Sequence, residues 1–155
     1  MERATRTIIN LNAIASNVAA VRSVIGPRRD LMAVVKADAY GHGAVNVSRT
    51  ALESGGTCLG VALPEEGEFL RSGGIEAPIL VLGVIHPKEA SKVVQSRLEQ
   101  TLCTLELAEA LNQAGEASSG KISVHVKVDT GMGRIGLAPR DTMAFVQKIS
   151  RHKNL

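Results

Sequence analysis

Lys36 ends the apolar run Leu31-Met32-Ala33-Val34-Val35 and is followed at once by Ala37-Asp38-Ala39-Tyr40-Gly41-His42-Gly43. An apolar run of this length predicts a strand buried on both faces of a parallel sheet, where an ammonium at the carboxyl end is poorly solvated. A lysine held in a restricted, partly dry site loses proton affinity and becomes an amine nucleophile, able to form a Schiff base with a carbonyl substrate or an aldehyde cofactor. The ordinary alternative is a strand-end lysine that snorkels to water. The following residues weigh against it. Gly41 and Gly43 flank His42, so the chain can turn sharply and begin a helix at about Gly43, while Tyr40 presents a phenol to a ligand.

A second cluster of chemically capable residues lies in Lys121-Ile122-Ser123-Val124-His125-Val126-Lys127-Val128-Asp129. Its period of two puts Val124, Val126 and Val128 on one face and His125, Lys127 and Asp129 on the other. Either the polar face looks into a barrel, where such groups near a strand's carboxyl end form a site, or the segment is a solvated edge strand. Next comes Thr130-Gly131-Met132-Gly133-Arg134-Ile135-Gly136, which contains G-x-G-x-x-G. A dinucleotide fingerprint opens the first βαβ unit and has an acidic residue roughly 20 positions on, whereas this match falls late in the chain. The glycines are read instead as bringing backbone and Arg134 close to a bound anion or ring oxygen. His42 and His125 each stand without a partner at metal-ligand spacing, so no metal is expected. His86 beside Pro87 reads as a loop residue, and Asp38 as a solvated charge or a cap for the turn.

These residues need elements to position them. The 155 residues are 45% hydrophobic, enough for one domain with a real core, and only 2% aromatic. Such a core of Val, Leu, Ile and Ala suits parallel strands under helices and not a base-stacking platform. The 18 basic residues against 15 acidic ones form no basic stripe, which argues against nucleic acid as a partner. No segment approaches the ~18 apolar residues of a membrane span, and the start, Met1 to Arg6, has no secretory character, so a cytoplasmic protein is expected. Cys58 and Cys103, far apart, are expected to be buried, reduced thiols.

Hydrophobic periodicity predicts a possible strand over Thr5–Leu11 and a helix over 12–25 stopped by Gly26-Pro27. Strands at 31–35, 57–62, 78–82, 99–103 and 121–128 then alternate with helices at 43–54, 64–72, 87–95, 105–115 and 139–152. Pro64, with Glu65 and Glu66 behind it, marks a helix start. About five βα units in succession imply an α/β fold with a parallel sheet, part of a (β/α)8 barrel that needs eight units and typically ~250 residues. The whole chain, 1–155, is therefore expected to be the amino-terminal part of such a barrel.

The segments Val35-Lys36-Ala37-Asp38-Ala39-Tyr40-Gly41-His42-Gly43 and Lys127-Val128-Asp129-Thr130-Gly131-Met132-Gly133-Arg134-Ile135-Gly136 resemble the two signature segments of bacterial alanine racemases. Leu59-Gly60-Val61-Ala62, Glu65-Glu66 and Pro78-Ile79-Leu80-Val81-Leu82-Gly83 are similar to that family as well. The resemblance implies a barrel-type enzyme that uses pyridoxal 5'-phosphate to interconvert L- and D-alanine for peptidoglycan and works as a homodimer. It implies that Lys36 carries the cofactor covalently and acts as the base on one face of the substrate. Tyr40 would bind the cofactor phosphate, and Arg134 would sit by the phenolic oxygen and the substrate carboxylate. Lys127 would be carbamylated and orient Arg134, which agrees with the crowding of three cations otherwise expected there. The opposite-face base would be a tyrosine of a carboxyl-terminal β domain of the partner subunit. This chain's one tyrosine is Tyr40, so the chain alone is expected to be inactive. Two alternatives are weighed: a serine or broad-specificity racemase, whose signatures look alike, and a non-catalytic pyridoxal-phosphate-binding homeostasis protein, a single barrel whose family lacks the Tyr40-Gly41-His42-Gly43 continuation.

Overall fold

The computed structural model describes residues 5–155. Five strands, β1 (Met32–Val34), β2 (Cys58–Val61), β3 (Ile79–Val81), β4 (Glu99–Leu102) and β5 (Val124–Val126), pair in parallel in the order β1-β2-β3-β4-β5. Each strand is followed by helical chain that returns over one face. These helices are α3 (Ala44–Glu53), α4 (Pro64–Ser72), α5 (Ala90–Gln95) with a 3-10 turn ahead of it, α6 (Leu105–Ala117) and α7 (Pro139–Ile149). The sequential parallel order, with every crossover a helix, is that of an α/β barrel in part, as the alternating pattern predicts.

The strand faces divide the chemistry. Leu59, Val61, Ile79, Val81 and Leu102 are fully buried and meet Leu70, Val93, Leu107 and Leu111 of the helices, which makes this side the hydrophobic core. The in-between positions, Met32, Gly60, Leu80, Thr101 and His125, form the concave face. Gly60 is closely covered: a Cβ there would come within 3.0 Å of the Met32 sulfur and 3.1 Å of Leu82, so those side chains would have to shift. Among the described residues no helix is long and apolar enough to cross a membrane.

Three expectations need correction. Residues 5–10 are not a strand: Asn10 accepts the Ala13 amide on its side chain (3.2 Å) and commits the chain to α1 (Leu11–Ile25), and Ile8 lies exposed. The last strand is shorter than 121–128, because the ends of that segment pair elsewhere. The Ile122 amide donates to Asn154 (2.9 Å), and Val128 bridges Leu137. Cys58 and Cys103 are free thiols but only half-buried, since Cys58 opens β2 and Cys103 follows β4, each beside a cleft. Burial still pushes the Cys58 thiol up from its ordinary pKa, with Thr57 opposing. The start of the chain, Met1 to Ala4, lies outside the described residues.

Candidate active site

Lys36 leaves β1 in the concave phase, and the chain then makes one turn of unusual hand, α2 (Lys36–Gly41). Ala37, Asp38, Ala39 and Tyr40 all have φ between 50 and 56°. Left-handed helix costs L-residues roughly 1–2 kcal/mol each, so four in succession must be held by their surroundings. The ties are visible. The Ala39 amide donates to Val35 (2.9 Å), and the Gly43 amide to Asp38 (3.0 Å). The Asp38 carboxylate accepts the first amide of α3, from Ala44 (2.6 Å), so of the two roles weighed for Asp38 it is the cap. His42 Nδ1 faces the carbonyls of Ala39 (3.0 Å) and Tyr40 (3.1 Å), a structural role. From the other side, Glu66 accepts the Ala37 amide on Oε1 (2.6 Å), and on Oε2 the amides of Ala62 (2.6 Å) and Leu63 (3.1 Å).

The turn brings Tyr40 back over Lys36, whose Nζ lies 6.0 Å from the ring centroid, within cation–π reach. Tyr40 is 61% exposed.

The second signature forms a closed loop. The Asp129 amide donates to Leu137 (2.8 Å) and the Leu137 amide to Lys127 (2.9 Å), pinching residues 129–137 into one excursion. Inside it the Asp129 carboxylate accepts the amides of Gly131 (2.9 Å) and Gly133 (3.1 Å), and these bonds hold its pKa below the usual carboxylate value. Gly136 has φ +126° and no room for a side chain. The helix that follows starts only at Pro139, so the glycines do not lead straight into a helix N-terminus as a dinucleotide fingerprint requires.

Both signatures meet in one cleft of about 470 Å³ at the carboxyl ends of the strands, lined by Lys36, Lys127 and Arg134 and floored by Leu80, Leu82 and Thr101. Of the four residues singled out from sequence, three line this cleft and Tyr40 stands beside it. His125 points to the same concave face, paired with Glu99 (2.8 Å), and His86 accepts the Lys88 amide in its loop. β5 is a wall of the cleft, with His125, Lys127 and Asp129 on its lining, so its polar face belongs to the site. The carboxylate on the lining, Asp129, is engaged with its own loop, which leaves an excess of positive charge and an amine within a volume that suits a small anionic ligand. That donor set fits a phosphate-bearing aldehyde.

Glu66 and the loop-closing role of Asp129 were not legible as site features. Pro64 followed by a carboxylate at the third helical position signals a cap. It carries no signal that the same carboxylate reaches the residue after Lys36.

Known proteins share this chain's sequence and fold. Residues 9–155 match the family model described as alanine racemase, N-terminal domain. An alanine racemase of Symbiobacterium thermophilum is 46% identical over 149 residues, 96% of this chain and 39% of that protein. One of Desulfosudis oleivorans is 50% identical over 129 residues, 83% of this chain and 33% of that protein. Among solved structures, alanine racemase of Clostridium difficile 630 superposes with a TM-score of 0.90 at 31% identity, over 97% of this chain and 41% of that one. The Bacillus anthracis alanine racemase with bound L-Ala-P gives 0.83 at 35% identity, over 91% and 36%. The chain thus spans between a third and about two-fifths of the length of these relatives.

Proposed function

The chain belongs to the alanine racemase family, and on that premise we propose that it contributes the lysine half of a pyridoxal-phosphate-dependent alanine racemase. The observation that carries the reading is the convergence of Lys36, Lys127 and Arg134 on one cleft at the strand carboxyl ends. In this reading residues 1–155 are the amino-terminal part of a cofactor-binding (β/α)8 barrel. The remaining units and a β domain lie outside the chain, in a protein that works as a cytoplasmic homodimer.

Lys36 would hold the cofactor through Nζ, Tyr40 would donate its hydroxyl to the phosphate, and Arg134 would face the phenolic oxygen and the substrate carboxylate. Bound there, the cofactor ring supplies a sink for the electron pair left on the α-carbon of alanine. Lys36, once free, moves the α-proton on one face. Racemisation requires the proton to return on the other face, and with Tyr40 assigned to the phosphate the second acid comes from a residue beyond this chain. Lys127, exposed on the same wall, would add carbon dioxide to its neutral amine and release a proton. The resulting carbamate turns one of three neighbouring cations into an anion that orients Arg134.

Borohydride reduction of the full-length protein loaded with pyridoxal phosphate tests the assignment. The pyridoxyl group is expected on the peptide containing Lys36; labelling of another lysine overturns it.

A further inference from the structure

Glu66 lines no part of the cleft, yet its carboxylate is the connection between the turn that carries Lys36 and the loop after β2. Oε1 takes the amide of Ala37, the residue next to Lys36, at 2.6 Å. Oε2 takes the amides of Ala62 and Leu63 at 2.6 and 3.1 Å. An ordinary helix-capping glutamate satisfies amides of its own turn. Glu89, at the same position in the turn before α5, does so by accepting the His86 amide at 3.1 Å. Glu66 satisfies its own loop with one oxygen and spends the other on a residue 29 positions away. That residue opens four consecutive left-handed positions whose conformation local preference opposes.

We infer that Glu66 is a positioning residue for the racemase reaction: by clamping the Ala37 amide it fixes the left-handed turn, and with it the direction of Lys36 Nζ and the placement of the Tyr40 phenol. The inference rests on the reading of Lys36 as the cofactor lysine. A glutamine in place of Glu66 has one carbonyl oxygen and an NH2 that cannot accept, so it satisfies the loop after β2 or the turn, not both.

The experiment compares Glu66→Gln with Glu89→Gln in the full-length, cofactor-loaded protein. For E66Q, kcat is expected to fall roughly 10- to 100-fold, the scale of misplacing a reacting group. KM should change little, and the yield of pyridoxyl label at Lys36 per folded molecule should fall. E89Q, in which the glutamine carbonyl oxygen can still accept the one amide that Glu89 takes, should leave the melting temperature close to wild type and kcat and labelling within about twofold. If E66Q does the same as E89Q, the positioning role is wrong while the Lys36 reading stands. If the wild-type protein takes its label at a different lysine, both fall. Should E66Q not fold, amide hydrogen exchange in the wild-type protein decides: Ala37 is exposed, so protection of its amide supports the clamp and free exchange overturns it.

Discussion

Replacing Gly136 with alanine should disable the loop that presents Arg134 without unfolding the protein. A Cβ at this position would lie 2.8 Å from the Asp129 amide nitrogen, 3.1 Å from the Val128 carbonyl carbon and 3.1 Å from Lys127 Cγ, and the backbone φ is +126°. The conformation alone costs an L-residue roughly 1–3 kcal/mol, and forcing the contact adds about 1–3 kcal/mol. Against this stand the two backbone hydrogen bonds that pinch the loop, Asp129 to Leu137 and Leu137 to Lys127. Each contributes about 1 kcal/mol net. The cost therefore equals or exceeds what holds the loop shut, and the pinch opens before the core yields. Arg134 and Lys127 then lose their common frame.

Gly131 is the control. Its φ is +136°, but nothing lies within 4 Å of an added Cβ, so Gly131→Ala pays the conformational cost alone. In the full-length protein the Leu137 amide should lose most of its exchange protection in G136A and keep it in G131A. The melting temperature should shift by only a few degrees in either, and kcat should fall roughly 100-fold in G136A alone. Wild-type Leu137 protection together with near-normal kcat in G136A would refute the coupling of the pinch to the site.

The acid response of the same loop follows from Asp129, whose pKa is lowered chiefly by the Gly131 and Gly133 amides. A carboxylate with a depressed folded-state pKa lends stability that is full above the unfolded value of about 4 and is lost as pH falls through the depressed one. Gly131 and Gly133 amide resonances should accordingly hold steady from neutral pH to near that value and move only in stronger acid. In Asp129→Asn the movement should vanish. Arg71, whose guanidinium donates to the carbonyls of Ser96 (3.1 Å), Ile75 (2.7 Å), Ala77 (2.8 Å) and Arg97 (2.8 Å), ties the end of α4 to the approaches of β3 and β4. Arg71→Met leaves those carbonyls without their donor and should cost about 2–4 kcal/mol in denaturant melts. An unchanged midpoint would show that water replaces the guanidinium at no loss.

The βα alternation was legible because parallel strands under helices are written as short apolar runs between longer amphipathic ones, and Pro64 marks a helix start by local rules. What failed locally was decided by partners distant in sequence. The alternation of 121–128 predicts a long strand, but Ile122 and Val128 take partners at Asn154 and Leu137, which no period reveals. The lysine and arginine of the site were legible as types at strand ends; their sharing of one cleft was implied by the barrel, and it needed the sheet order to become a fact.

The turn after Lys36 shows most clearly why a propensity argument stops short. Ala37, Asp38 and Ala39 include two of the best right-handed helix formers, and only the glycines at 41 and 43 hint at anything else. Four left-handed residues cost in total about 4–8 kcal/mol. The opposing bonds are two carboxylate–amide contacts, from Glu66 and Asp38, at about 1.5–3 kcal/mol each. Three backbone bonds from the amides of Ala39, His42 and Gly43 add about 1 kcal/mol each. The two sides are of one size, so the turn is held with little to spare, and loss of either carboxylate is enough to release it. The direction of the Lys36 amine is thereby set by acidic residues whose hydrogen bonds go to backbone amides, one of them on the neighbouring βα unit.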